Sequence, residues 1–392
     1  MKNDMNEIYL DNSATTPLSE TVKKKMIEAM ECYGNPSSLH SAGQAAEKLL
    51  SEARERLLLG FGLRPRQKDG TVVFTSCGTE ATSLALFGTA YAKTRRDAKR
   101  ILTTDSEHPS VARAMDRLAA DGFEVVRIPT KGGVLDLQAV KNALDQKILL
   151  ASFMLVNNET GAVYEVGEAF RAIKARYPDA VTHCDAVQGF MKCPFTPTSL
   201  CADLITVSGH KLHAPKGVGA LYISNTLIKA KKIAPFLVGG GQEDGLRSGT
   251  ENVIGIAAFG AAVEELRQNK SELTARMTAL RQYAEERLSA LEVRINRPEG
   301  AYLPHIIHLT LPHIKSETML HALSADGIFV SSGSACSSHS HHPSEALLAF
   351  GLTPHEADCS LRVSLSAQNT EADIDALCAS LEKNLARLVR VK

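Results

Sequence analysis

Between residues 71 and 223 the chain repeats one pattern: a short apolar run, a turn of small or polar residues, then a stretch with helical spacing. The apolar runs cover 71–75, 100–103, 124–128, 148–156, 180–183, 204–207 and 218–223. Helical spacing covers 81–92, 110–120, 137–144 and 167–177. Runs that are apolar on both faces need cover above and below, and intervening helices supply it. The pattern predicts an α/β fold, a mostly parallel seven-stranded sheet with helices on both faces. Before it, 8–10 reads as a strand or extended arm, and Ser19 as the cap of a helix running to about residue 31. Residues 34–38 read as a loop, and 43–59 has helical spacing. After 239–245, a glycine-rich stretch expected to be a flexible loop, the texture changes. A long helical stretch, 252–291, precedes strands at 306–309 and 361–365 and helices at 318–324 and 371–388. This predicts a large domain, 16–258, and a smaller α+β domain built from 1–15 and 259–392.

Ligands of such sheets lie beyond the C-terminal ends of the strands. The polar clusters fall there. Ser106-Glu107-His108-Pro109 follows the second run, Asn157-Asn158-Glu159-Thr160 the fourth, Asp185-Ala186-Val187-Gln188 the fifth and Ser208-Gly209-His210-Lys211 the sixth. The turn Ser76-Cys77-Gly78-Thr79-Glu80 leads into a helix start, which is either an ordinary capped helix or a cradle for an anion. It matches neither the dinucleotide nor the P-loop glycine pattern. Lys211 lies between two core strands, where an ammonium is costly unless paired or deprotonated. A lysine against apolar walls becomes a usable amine nucleophile, as Schiff-base chemistry requires.

Composition narrows the classes. Lys+Arg and Asp+Glu balance at 44 each, so no global field draws nucleic acid or an anionic membrane. No run reaches the ~18 apolar residues of a membrane span, and residues 1–5 carry no signal-like segment; a cytoplasmic protein is expected. No two of the eight cysteines are spaced C-x-x-C, so the usual zinc and iron–sulfur spacings are absent. Most read as small core residues. Cys336 differs: the stretch 331–342 is nearly free of large apolar side chains, so it predicts a mobile surface loop with an accessible thiol. His339, His341 and His342 have no i, i+4 frame, and no metal site is expected.

Taken together, these groups specify a site for pyridoxal 5'-phosphate. Lys211 supplies the amine, Asp185 a carboxylate for the pyridinium nitrogen and Gln188 a partner for the phenolic oxygen. His108 offers a flat group over the ring, and Gly78, Thr79, Ser208 and His210 offer donors to the phosphate. The ordered motifs Tyr9-Leu10-Asp11-Asn12-Ser13-Ala14-Thr15-Thr16-Pro17, Asn35-Pro36-Ser37-Ser38-Leu39-His40, Glu107-His108, Asn157-Asn158-Glu159-Thr160-Gly161, His183-Cys184-Asp185-Ala186-Val187-Gln188, Ser208-Gly209-His210-Lys211 and Ser331-Ser332-Gly333-Ser334-Ala335-Cys336 carry a resemblance. Over about residues 8–365 the chain resembles the cysteine desulfurases of the fold-type-I pyridoxal phosphate superfamily, in the class with a long cysteine loop. It departs from them at Ala81-Thr82-Ser83, where asparagine is usual, at Asn12-Ser13 and in its histidine-rich loop.

The resemblance implies a homodimer that takes sulfur from L-cysteine, leaves L-alanine and forms an enzyme persulfide. It implies that Lys211 is the Schiff-base lysine, that His108 stacks on the ring and assists proton transfer, and that Asp185 and Gln188 contact the ring. Arg362 would hold the substrate carboxylate, with Asn157 nearby at substrate and cofactor. Thr250 would reach the phosphate in the partner subunit, and Cys336 would attack the sulfur. The acceptor would be a scaffold or sulfur-carrier protein, in iron–sulfur cluster assembly or tRNA thiolation, with no direct nucleic-acid or membrane partner. A selenocysteine or cystine lyase on the same fold and an inactive sulfur-relay or scaffold-docking protein are the alternatives.

Overall fold

A computed structural model describes residues 7–64, 69–92, 98–332 and 343–390. Within them the strands are β1 (Ile8–Tyr9), β2 (Gly70–Thr75), β3 (Arg100–Thr104), β4 (Glu124–Ile128), β5 (Ile148–Met154), β6 (Val181–Asp185), β7 (Leu204–Ser208), β8 (Gly219–Ser224), β9 (Arg294–Ile295), β10 (Ile306–Thr310), β11 (Ile328–Phe329) and β12 (Ser360–Ser364). Seven of them form one sheet in the order β2-β8-β7-β6-β5-β3-β4. Parallel pairing joins β4, β3, β5, β6 and β7, while β8 runs antiparallel to both β7 and β2. The sheet is therefore the mostly parallel, seven-stranded one expected.

The exception has a physical cause. A parallel crossover needs about a dozen residues or more, and the link between β7 and β8 is too short for one. The chain turns tightly and comes back, so Lys211 ends a single helical turn, Gly209–Lys211, at the C-terminal rim of β7. Gly219 opens β8 opposite Ser208. A Cβ there would lie 2.5 Å from the Cys77 carbonyl carbon, so glycine alone lets β8 pass beneath the turn into the helix Gly78–Ala90. The C-terminal ends of β3, β5, β6 and β7 share one rim, and every residue of these four strands is buried.

Several boundaries follow local chemistry. Ser19 caps Glu20–Met30 by accepting from Val22 N, and His40 caps Ser41–Gly60 through Gly43 N. The long helical stretch is two helices, Val253–Gln268 and Lys270–Ser289. Asn269 separates them; its side-chain amide donates to Glu265 O at 2.9 Å and competes with the helical ladder. Beyond them, β12-β10-β9 form an antiparallel sheet and β1 pairs in parallel with β11. A separate apolar cluster around Leu10, Ile307, Leu361, Leu377 and Leu381 packs under these strands.

The glycine-rich stretch is pinned rather than loose. Glu243, buried, takes both terminal nitrogens of Arg54 at 2.8 and 2.9 Å. Its Oε2 also accepts from Phe74 N at 2.9 Å. β2 is an edge strand, and Glu243 satisfies an outward N–H that no strand reaches. Glu243→Ala leaves that N–H without its acceptor and the guanidinium with Val72 O in place of a carboxylate. Because Arg54 is partly exposed, the expected loss is about 2–3 kcal/mol, read as a lower urea midpoint. Among the described residues no helix is long and apolar enough to cross a membrane.

Candidate active site

The shared strand rim opens into a cavity of about 260 Å³. Lys211 lines it, and its Nζ donates to Ser13 O at 2.5 Å and Ala14 O at 2.7 Å. The segment 13–16 is held against the lysine turn: Thr16 N donates to His210 O at 2.9 Å, and His213 N donates to Thr16 Oγ1 at 2.7 Å. The polar turn near the N-terminus thus closes one side of the site.

Asp185 ends β6 and faces the cavity; its Oδ1 accepts from Val187 N at 3.0 Å. Burial pushes its carboxyl up to about 6, against the pull of that N–H and of Lys211. Gln188 donates from Nε2 to Ser13 O at 2.9 Å, and its buried Oε1 has no partner. Below them His183 ties three adjacent strands, with Nδ1 at 2.8 Å from Ser152 Oγ and Nε2 at 2.9 Å from Thr206 Oγ1.

His108 precedes the helix Pro109–Ala120 and caps it, its Nδ1 accepting from Ser110 N at 3.1 Å. Since Nδ1 is an acceptor there, the neutral ring carries its proton on Nε2. Burial and the neighbouring Lys211 charge hold the ring down to about 4, so it is neutral at pH 7.

On the opposite wall stand Gly78 and Thr79, the first residues of Gly78–Ala90, whose N-cap Cys77 makes no side-chain capping bond. The terminal N–H groups of that helix are left for another acceptor. Ser208 Oγ is buried there without a partner, and His210 lines the same space. A Cβ on Gly78 would press on Ser208 Cβ and Val187 Cγ2, each at 3.3 Å. Uncapped N–H groups, an unused hydroxyl and a bare glycine wall are the groups that an anion cradle requires.

Arg362 comes in from β12, almost wholly buried. It donates to Asp11 Oδ1 at 2.8 Å and to Asn158 O at 3.0 Å, while its Nε has no partner. Asn157 differs from the expectation of a direct contact. Its Nδ2 donates to Ser106 O, and its Oδ1 accepts from Glu159 N, Thr160 N and Thr160 Oγ1. With both ends engaged it shapes the turn, and Asn158 lines the cavity instead. Thr250 is exposed and outside this cavity, on a segment that Arg247 ties to Glu80 at 2.8 Å.

Cys336, His339, His341 and His342 lie outside the described residues. The residues bordering that stretch attach to the site. Ser331 and Arg362 exchange backbone hydrogen bonds at 3.1 and 2.7 Å, and Ser344 Oγ donates to Glu159 Oε1 at 2.8 Å. Among the described residues, no group of three or more His, Cys, Asp or Glu is placed to hold a metal ion.

Sequence reading assigned no role to Glu107. Its Oε1 accepts from Thr104 Oγ1 at 2.7 Å and Met154 N at 2.9 Å, joining β3 to β5 directly behind His108. Its Oε2 is buried without a partner, and burial pushes the carboxyl up to about 8. An acidic residue between a strand and a helix-capping histidine was the available signal.

The aminotransferase class-V family model matches residues 8–377. A cysteine desulfurase of Trichormus azollae is 37% identical over 388 residues, covering 98% of this chain and 94% of its own. A solved NifS-like protein superposes with a TM-score of 0.89 at 34% identity, covering 98% of this chain and 100% of its own. The structure of SspA in complex with cysteine gives a TM-score of 0.80 at 28% identity, over 93% of this chain and 100% of that one.

Proposed function

Because the chain belongs to the cysteine desulfurases of the class-V aminotransferase family, we propose that it works on L-cysteine with pyridoxal 5'-phosphate, leaves L-alanine and carries the sulfur as a persulfide on Cys336. The atoms balance: the substrate Cβ–S bond breaks, Cβ gains a proton, and the sulfur joins the Cys336 thiol. The observation that carries the cofactor assignment is the pairing of an amine, Lys211, with a buried carboxylate, Asp185, around unused polar atoms of Ser208 and Gln188.

In this reading Lys211 Nζ would hold the cofactor, and Asp185 would serve its ring nitrogen. Gln188 Oε1 and Nε2 lie within the same wall, and His108 covers the ring. Gly78, Thr79, Ser208 and His210 hold the phosphate. When bound, the cofactor supplies an electron sink beside the substrate α-carbon. Released from the cofactor, Lys211 Nζ is the base that takes the α-proton and returns it to the three-carbon product. His108 is neutral with its proton on Nε2, so it donates a hydrogen bond without adding a second cation next to Lys211. Asp11 holds the Arg362 guanidinium from one side, and Arg362 orients the substrate carboxylate. Asn157 acts through the turn that presents Asn158.

Thr250 of each subunit serves the partner's phosphate in a homodimer, which accounts for its place outside its own cavity. The same reading takes 16–258 as the cofactor-binding domain and 1–15 with 259–392 as the small domain. It places the enzyme in the cytoplasm and passes the persulfide sulfur to an acceptor protein for iron–sulfur cluster assembly or tRNA thiolation.

The test is Cys336→Ser, assayed as sulfide released from L-cysteine in the presence of a thiol reductant. Release falls about tenfold or more, as expected when a nucleophile is removed, while cofactor absorbance is retained. Undiminished release refutes the role of Cys336. A protein that takes up no cofactor refutes the whole assignment.

A further inference from the structure

Behind the lysine turn lies a second cavity, about 50 Å³, and Lys211 borders both. Its walls come from the turn after β6, the lysine turn, the start of Lys270–Ser289 and the segments around His305 and Ser366. Lys192, Lys270, His213 and His305 line it beside Lys211, and among the described residues no aspartate or glutamate does. Lys192 and Lys270 have no side-chain hydrogen bond or ion pair among the described residues. Nδ1 of His305 is buried without a partner. His213 Nδ1 stands 2.9 Å from Pro17 O, and a carbonyl only accepts, so Nδ1 bears the ring proton.

Lys270 stands exposed at the edge of this space and Lys192 is drawn into it, where an ammonium without a counter-charge loses hydration. Burial pulls Lys192 down to about 8 and His305 down to about 3, and it lowers His213 as well. Cys193, beside both lysines, stays a thiol because burial raises it to about 11. Glu265 is the carboxylate that His213 feels, but it is taken by Ser19 Oγ at 2.5 Å and Thr21 Oγ1 at 3.1 Å. An anion in a cavity of this composition would supply the missing counter-charge.

We infer that this rear cavity is a binding site for a small divalent oxyanion, held between the ammonium groups of Lys192 and Lys270. With Lys211 committed to the front cavity, the two remaining ammonium groups match a double negative charge. The volume admits roughly three to five water-sized centres, the size of a tetrahedral oxyanion and too small for a nucleotide or a peptide. Thr16 also lines the cavity, and its hydroxyl already joins His210 O and His213 N, so occupancy braces the turn that presents Lys211.

Inorganic sulfate is the probe, because its charge is constant from pH 6 to 10 and any pH dependence belongs to the protein. It is titrated calorimetrically into the full chain loaded with pyridoxal phosphate, whose own phosphate fills the front cradle. Saturable binding is expected at pH 7. The affinity falls about tenfold or more by pH 9.5, as Lys192 loses its proton. Lys192→Met weakens binding about tenfold to a hundredfold, the cost of one charge-assisted contact, and Lys192→Arg restores it. His305→Asn, which keeps the site's charge, retains it. Absence of saturable heat at pH 7 overturns the proposal, and so does unchanged affinity in a folded Lys192→Met protein. Loss of binding in Ser208→Ala places the ion in the front cavity and overturns it equally.

Discussion

Lys211→Ala lowers sulfide release from L-cysteine about a thousandfold or more, with the fold intact. The magnitude follows from what else lines the cavity. Lys211 is its one primary amine. Arg362 is engaged by Asp11, and burial and the Lys211 charge depress His108 to about 4. With the lysine gone, His108 loses one of the two causes of its low basicity, yet it remains a buried imidazole tied through Nδ1 to the Ser110 backbone. No other side chain there can both hold an aldehyde and return a proton to the product. The structural cost is small. Two carbonyls, Ser13 O and Ala14 O, lose a donor beside an open cavity where water replaces it. Far-UV circular dichroism should match the wild type while the visible absorption of lysine-bound cofactor disappears. Turnover within tenfold of wild type in a folded variant removes Lys211 from the chemistry.

The large sheet was legible because its central strands are buried on both faces. A run such as Ile148–Met154 has no exposed residue to interrupt the apolar signal. The site residues were legible for a related reason: a polar cluster directly after such a run stands out and belongs at the strand's C-terminal rim. What was not legible depends on distance in sequence. The reversal of β8 rests on the length of a turn, not on its composition. β9 and β11 have only two residues each and are defined by the partners they find. That Glu243 is drawn inward could not be read from a glycine-rich stretch, because its partner Arg54 lies far back in the chain. Asn157 and Asn158 are alternating neighbours of identical chemistry; only the turn decides which one faces the cavity. The rear cavity combines residues from segments scattered between Asn12 and Ala367, and no local pattern marks it.

Glu107→Gln stabilises the protein at alkaline pH and is close to neutral in effect at acid pH. The sign comes from the direction of the shift. Burial raises the folded-state pKa to about 8, from an ordinary 4.5. Below the ordinary value both folded and unfolded chains hold the proton, and the group carries no penalty. As pH rises the unfolded chain ionises first, so stability declines until the folded carboxyl ionises near 8, after which the penalty is constant. Glutamine never ionises and escapes this decline. Its amide oxygen can keep the bonds from Thr104 Oγ1 and Met154 N, and its amide nitrogen takes the place of an oxygen that already had no partner. Asp185, which opposes ionisation of Glu107, is present in both proteins, so its own raised pKa largely cancels in the comparison. Between pH 5.5 and 8.5 the variant should gain about 3 kcal/mol over wild type in urea unfolding, roughly two-hundredfold in the folding equilibrium. Stability curves that stay parallel across that interval would show that Glu107 is already ionised in the folded chain. The join between β3 and β5 behind His108 would then hold a charge rather than a proton.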